Sequence, residues 1–171
     1  MKTVLLLRHA KSSWDQPHLE DFERPLAARG RKAAPRIGRY LAREDLIPDR
    51  VLCSAAVRAV ETWELVSEAL ATPVPTEFLD EIYHAAPGDL LDLIRALPQA
   101  EESVLLVGHN PTFEILASRL AGSGEEEALR ALAAKYPTAA LAVLDFRVRK
   151  WAELGAGLGH LRGFIRPKEL E

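Results

Sequence analysis

Three short apolar runs, separated by stretches with helical periodicity, constrain the fold of this chain more than any other feature. The runs cover residues 3–7, 50–53 and 103–107. Each is short and bounded by polar or charged residues, so each predicts a buried strand. Between the runs, apolar residues recur at the three- and four-residue spacing of an amphipathic helix, as at Ile37 and Leu41. Strands that alternate with helices predict an α/β protein whose early strands run parallel.

The rest of the chain extends this pattern without a linker or repeat. Pro35 either starts or kinks the helix that contains Ile37. Two later strands are predicted at Thr138–Phe146 and Val148–Leu154, joined by a tight connection. Right-handed crossovers would place helices on both faces of the sheet. We therefore expect a single three-layer α/β/α domain over residues 1–171, with a mostly parallel central sheet.

Composition excludes several classes of protein. The formal net charge is −3, with 27% charged and 48% hydrophobic residues, so no binding to nucleic acid or to an acidic membrane surface is implied. The lone cysteine, Cys53, excludes a disulfide framework and a cysteine-rich zinc site. The apolar N-terminal run is interrupted by Arg8, which is too early for a signal peptide or a membrane span. We expect a cytoplasmic protein.

Basic and histidine side chains follow the three predicted strands. Arg8 and His9 come after the first strand, Arg58 lies just past the second, and His109 with Asn110 follows the third. In open parallel sheets, the ligand crevice lies beyond the carboxyl ends of the strands. These side chains are far apart in the sequence, yet we expect them to meet at one crevice. Taken singly, Arg58 would be a solvated helix residue and His109 a loop histidine.

Two arginines and two histidines suit a tetrahedral oxyanion. Guanidinium groups match phosphate oxygens in pairs and stay charged at any working pH. A neutral imidazole can attack phosphorus, and a second, if protonated, would stabilise the transition state. No histidine and carboxylate cluster has metal-ligand spacing, so we expect no metal or other cofactor. A thiol mechanism is less favoured, because four residues separate Cys53 from Arg58 where a cysteine phosphatase loop has five.

Four ordered motifs resemble a known family. Residues 5–14 read LLLRHAKSSW and resemble the Arg-His-Gly signature of the histidine phosphatase (phosphoglycerate-mutase-like) superfamily. The Arg-His-Ala-Lys-Ser form is similar to that of its SixA-type protein-histidine phosphatase branch. Residues 24–30 (RPLAARG), 53–62 (CSAAVRAVET) and 107–111 (VGHNP) resemble the blocks that follow in that branch.

The resemblance implies a histidine-phosphatase-like fold and assigns roles to individual residues. His9 would be the nucleophile, and Arg8, Arg58 and His109 would form the phosphate pocket. The proton donor of the family is a glutamate after the second helix, and Glu81 fits that position best.

The function predicted from this resemblance is a metal-independent phosphatase that forms a phosphohistidine intermediate. The substrate would be phosphohistidine on a phosphorylated signalling protein. One alternative is a phosphomonoesterase that acts on a small phosphorylated metabolite. A second alternative, from another class, is a non-catalytic phosphate-binding module.

Overall fold

One seven-stranded sheet forms the centre of the computed structural model, which describes residues 1–170. The spatial order is β3-β2-β4-β1-β6-β7-β5. The pairs β3–β2, β2–β4, β4–β1 and β5–β7 are parallel, while β6 runs antiparallel to both β1 and β7. The strands are β1 (Lys2–Arg8), β2 (Arg50–Ser54), β3 (Thr76–Leu79), β4 (Ser103–Gly108), β5 (Ala121–Gly124), β6 (Leu141–Phe146) and β7 (Gly159–Ile165).

Helices cover both faces of this sheet. On one face, α1 and α2 pack over a core that contains Leu5 and Leu7 of β1; on the other, α4, α5 and α6 pack over a core that contains Val4 and Leu6. Pro35 lies inside α1. The helices are α1 (Ala28–Arg43), α2 (Val57–Ser67), α3 (Asp80–Tyr83), α4 (Pro87–Arg95), α5 (Thr112–Leu120) and α6 (Glu126–Ala134). The three-layer α/β architecture predicted from the sequence is confirmed.

The central strand explains why its sequence is apolar on consecutive positions. Val4, Leu5, Leu6 and Leu7 are all buried, with exposed fractions of 0% or 1%. A strand that is covered by helices on both faces has no solvent side, so the polar alternation of a half-buried strand disappears. Burial on both faces fixes the position of β1, and with it the point after Arg8 where the chain leaves the sheet at His9.

The C-terminal strands differ from the prediction. Thr138–Phe146 is a strand only from Leu141, because Ala139 has a left-handed backbone (φ 61°) that turns the chain. Val148–Leu154 was wrongly predicted as a strand: it contains a 3₁₀ turn at Trp151–Glu153. Its apolar residues recur every third position, which is the period of a 3₁₀ helix. The last strand is β7, at Gly159–Ile165.

Three strands were not predicted: β7, which lies beyond the wrongly assigned 148–154 segment, and β3 and β5, which lack an apolar signal. The edge strand β3 has an exposed phenylalanine, Phe78, and β5 has the sequence AGSG. No helix among the described residues is long and apolar enough to cross a membrane.

Candidate active site

The ends of β1 and β4 bring the two predicted site histidines together. These strands are parallel neighbours, with Arg8 opposite Gly108 in the register. His9 and His109 each follow at the carboxyl end, and their ring centroids are 5.3 Å apart. Arg58 lies in the first turn of α2, close enough for its charge to act on both imidazoles. The structure therefore places Arg8, His9, Arg58 and His109 at one crevice, as expected from their positions after the strands.

The tautomer of His9 follows from its backbone contact. Its Nδ1 lies 2.7 Å from the carbonyl oxygen of Ala10. A carbonyl only accepts hydrogen bonds, so Nδ1 carries the proton and Nε2 keeps its lone pair. The residue is 7% exposed, and burial lowers the pKa of its imidazole to about 3, with the charges of Arg8 and Arg58 acting in the same direction. At neutral pH, His9 is an uncharged imidazole with a free basic nitrogen.

Hydrogen bonds to the backbone hold the segment that carries His9 from three sides. The His9 N–H donates to the Gly108 carbonyl at 2.9 Å, and the Ala139 N–H donates to the His9 carbonyl at 3.0 Å. The Ala10 N–H donates to the Thr62 hydroxyl oxygen at 2.9 Å, and that hydroxyl donates to the Arg58 carbonyl at 2.6 Å. Thr62 thus joins the helix that carries Arg58 to the segment that carries His9.

His109 has the same tautomer as His9, but the opposite ring nitrogen is hydrogen-bonded. Its Nε2 lies 2.8 Å from the Ser54 hydroxyl oxygen, which also accepts the Ala56 N–H at 3.2 Å. The Ser54 hydroxyl proton is then free to donate to Nε2, which leaves the ring proton on Nδ1. Burial, followed by the charge of Arg58, lowers the pKa of His109 to about 4. The sequence left the protonation state of His109 open, and the structure makes it neutral in the free enzyme at neutral pH.

Two buried donors in this crevice have no hydrogen-bond partner. Among residues 1–170, the buried side-chain nitrogen or oxygen atoms without a partner are Nε of Arg8 and Nδ1 of His109. Arg8 is otherwise fixed, because its Nη1 donates to the Tyr136 carbonyl at 2.9 Å. Buried polar groups are nearly always paired, so unpaired ones indicate a functional role. Both atoms are N–H donors beside His9, and they suit the oxygens of an anion.

Asp21, an acidic residue that was not predicted from the sequence, forms an ion pair with Arg58. The carboxylate of Asp21 accepts from Arg58 Nη2 at 2.9 Å, from Arg24 Nη1 at 2.7 Å and from the Tyr83 hydroxyl at 2.5 Å. The backbone carbonyl of Asp21 also accepts from Arg58 Nη1 at 2.7 Å. The Tyr83 hydroxyl and the two guanidinium groups lower the pKa of Asp21, so it is ionised at neutral pH. Asp21 orients Arg58.

Arg24 connects the 24–30 motif to the segment that follows His9. It is buried, its Nε donates to the Ser13 carbonyl at 3.1 Å, and it also donates to the Ser12 hydroxyl. Its guanidinium stacks on the ring of Trp14 at 3.3 Å. Arg24 therefore fixes the segment that follows His9. In the sequence, the three-residue spacing of Asp21 and Arg24 could have suggested this ion pair. Both residues lie in a polar stretch without a predicted strand, so nothing in the sequence placed them near the site.

Glu81 lies at the edge of the crevice. It is exposed in the first turn of α3, two residues before Tyr83. The Tyr83 ring is 5.4 Å from that of His109, so α3 borders the crevice. Within the described residues, no hydrogen bond or ion pair ties Glu81 to Arg8, His9, Arg58 or His109. Its role as proton donor remains a prediction.

Cys53 does not have the environment of a reactive thiol. It is fully buried in β2, and burial raises its pKa far above neutral pH. Nucleophilic cysteines need the thiolate. Among residues 1–170, no group of three or more histidine, cysteine or carboxylate side chains is arranged to hold a metal ion.

Comparisons with known proteins identify the family. The model of the histidine phosphatase superfamily (branch 1) matches residues 4–90. An uncharacterised protein of Mycobacterium tuberculosis is 36% identical over 164 residues, which is 95% of this chain and 100% of the relative. The chain belongs to the histidine phosphatase superfamily. The family prediction made from the four motifs is confirmed.

Solved structures narrow the branch of this superfamily. A crystal structure from Agrobacterium tumefaciens, provisionally assigned as a phosphohistidine phosphatase SixA, is 35% identical with a TM-score of 0.82 and covers 97% of this chain and 98% of its own. The protein histidine phosphatase SixA in complex with tungstate is 25% identical with a TM-score of 0.73, covering 99% of both chains. This histidine phosphatase is of the SixA type, a phosphatase with a catalytic histidine.

Proposed function

We propose that this enzyme hydrolyses phosphohistidine on a phosphorylated protein, with His9 as the nucleophile. The observation that carries the proposal is the free Nε2 of a neutral His9, fixed by the Ala10 carbonyl and placed among Arg8, Arg58 and His109. The substrate class is supported by the SixA structures, which are named as phosphatases of protein histidine. Tungstate in one of them is a tetrahedral oxyanion of the same shape as phosphate.

The first step transfers the phosphoryl group to the enzyme. Nε2 of His9 attacks phosphorus as the P–N bond of the substrate breaks, and the substrate imidazole leaves with a proton. Negative charge on the transferred oxygens is met by the guanidinium groups of Arg8 and Arg58 and by the Nδ1–H of His109. In the second step, water attacks phospho-His9, which releases inorganic phosphate and the neutral imidazole. No metal or cofactor takes part in either step.

The leaving group separates phosphohistidine from a phosphomonoester. Imidazole can be protonated before the P–N bond breaks and leaves as a neutral ring, whereas an alkoxide needs a positioned acid near neutral pH. Asp21, whose pKa is lowered, is a poor acid at that pH. Glu81, exposed at the border of the crevice, is the proposed donor. A substrate that needs little acid assistance therefore suits this site.

The deciding experiment compares both substrate classes on one enzyme preparation. Phosphate release is measured from a phosphohistidine protein and from a panel of small phosphomonoesters, after exhaustive chelation. We expect the phosphohistidine protein to give the higher kcat/KM, with chelation having no effect. A phosphomonoester with the higher value would replace this function with that of a metabolite phosphatase. Activity restored by added metal would overturn the metal-independent mechanism.

A further inference from the structure

A groove rich in basic side chains lies beside the phosphoryl site. We call it the basic groove, and it has a volume of about 420 Å³. It is lined by Lys11, which lies two residues after His9, and by Arg29, Lys32 and Arg36 of α1. A cavity of this size falls within the range of small-molecule sites, which is about 300–1,000 Å³.

The opposite wall adds three more cations. Lys135 lies at the end of α6, and Arg166 and Lys168 flank Pro167 at the 3₁₀ turn after β7. Glu169 pairs with Arg166 at 2.8 Å. Within residues 1–170, none of the six other groove cations forms an ion pair. Seven cations thus converge on one concavity in a chain with a formal net charge of −3.

The walls of the groove are held in place by close packing. The backbone carbonyl of Lys11 accepts the Ala27 N–H at 2.9 Å. A Cβ added at Gly30 would lie 2.2 Å from the same carbonyl oxygen, so glycine allows α1 to approach this closely. This packing fixes the backbone of that wall, so binding would have to order mainly the side chains that carry the charges.

The groove shares two segments with the phosphoryl site but not its catalytic side chains. Lys11 follows His9 by two residues, and Lys135 precedes Tyr136, whose carbonyl accepts from Arg8. Neither His9 nor His109 lines the groove. The groove and the phosphoryl site are therefore neighbouring but separate places for anions.

We propose that the basic groove binds a small polyanion that carries at least two phosphoryl groups, at a site distinct from the phosphoryl pocket. Arginine supplies paired donors to phosphate oxygens, and lysine supplies compact positive charge. The methylene stems of these side chains, with Ala33 and Pro137, provide apolar walls for the rest of such a ligand. A cavity of about 420 Å³ would enclose a small molecule, whereas a folded partner would contact only its edge.

The test measures binding of inorganic tripolyphosphate by calorimetry to wild type and two matched double variants. Lys32→Gln with Arg36→Gln removes two groove cations. Arg39→Gln with Arg43→Gln removes two charges from the same helix outside the groove. We expect the groove variant to lose about tenfold or more in affinity, because two of the seven cations that face the ligand are removed. The control variant should stay within about twofold of wild type.

Two further binding measurements distinguish the groove from the phosphoryl site and a polyphosphate ligand from an acidic peptide. His9→Ala should bind tripolyphosphate as wild type does, and a polyglutamate peptide should bind more weakly. If both double variants lost affinity for tripolyphosphate equally, the binding would depend on the overall charge of the protein and not on the groove. Unchanged affinity in the groove variant would place tripolyphosphate elsewhere, and peptide binding as tight as tripolyphosphate would indicate a protein segment instead. Each of these outcomes overturns the proposal.

Two further measurements keep this test separate from the proposed function. The single variant Lys32→Gln changes one exposed side chain and keeps the test valid if the double variant unfolds. Phosphohistidine hydrolysis is measured on the same proteins. Loss of tripolyphosphate binding with hydrolysis intact supports the groove, whereas absent hydrolysis in wild type would count against the proposed function alone.

Discussion

The site has two parts: a strand-end half, formed by Arg8, His9 and His109, and a rim, formed by residues 21–24 and α3. The strand-end side chains contact two backbone carbonyls and the hydroxyl of Ser54 in β2, whereas the rim is held together by ion pairs and hydrogen bonds around the Asp21 carboxylate. The difference lies in burial. Burial lowers the pKa values of both histidines and keeps them neutral. At the rim, the half-exposed carboxylate of Asp21 stays ionised and orients Arg58. In the proposed mechanism, the strand-end half supplies the neutral imidazole that attacks phosphorus, and the rim orients Arg58 and carries the proposed proton donor, Glu81.

The largest effect should come from removing the nucleophile in the strand-end half. His9→Ala should reduce phosphatase activity by at least about 10⁴-fold, because covalent catalysis depends on this one nitrogen. Rapid quenching of wild type with labelled substrate should trap an acid-labile, base-stable phosphate on His9. Cys53→Ser is the matched control, since that side chain is buried and its hydroxyl can replace the thiol contact to the Ser54 carbonyl. Full activity in His9→Ala would refute the histidine mechanism.

The second effect tests the rim and depends on the substrate. Glu81→Gln should slow hydrolysis of an alkyl phosphate by about 10²–10⁴-fold, the usual contribution of a general acid, while phosphohistidine hydrolysis slows only slightly. The measurement is kcat on each substrate. Asp80→Asn serves as control, because Asp80 is an exposed acid in the same turn of α3. Equal losses on the two substrates would show that Glu81 is structural or serves another step.

A smaller effect should follow from removing the charge that faces Arg58. Asp21→Asn keeps the backbone carbonyl that accepts from Arg58 Nη1, but it removes a negative charge from beside the anion site. Inorganic phosphate should then inhibit more strongly, with its inhibition constant lowered by about threefold to tenfold. Glu23→Gln changes an exposed charge in the same segment and should leave inhibition unchanged. Weaker inhibition in Asp21→Asn would mean that orientation of Arg58 outweighs repulsion.

The same contrast explains how far the sequence could predict this enzyme. The positions of Arg8, His9 and His109 were predictable, because each follows a strand whose apolar run is visible locally. Asp21 and Tyr83 are 62 residues apart in the sequence, and only tertiary packing brings them together. The edge strands β3 and β5 were missed for a related reason, since neither buries an apolar face that would mark it.

The smallest effect concerns stability and pH in the strand-end half. An unfolded histidine has a pKa near 6.5, whereas that of folded His9 is about 3. The unfolded state therefore binds more protons between these values, so stability is complete above about pH 6.5 and falls as the pH is lowered. Between pH 7 and 5.5, His9 should cost about 1 kcal/mol of unfolding free energy. His109, with a pKa of about 4, acts in the same direction, whereas Asp21 contributes only at lower pH.

Urea unfolding at pH 7 and pH 5.5 checks this expectation. Whatever His9→Ala does to absolute stability, it should lose about 1 kcal/mol less than wild type between the two pH values, because the buried neutral imidazole is gone. His18→Ala, which removes an exposed histidine, should keep the wild-type pH dependence. If His9→Ala and wild type lost stability equally over this range, His9 would be protonated in the folded enzyme near neutral pH. Burial would then not be what keeps the nucleophile uncharged, and the contrast between the strand-end half and the rim would fail at its central residue.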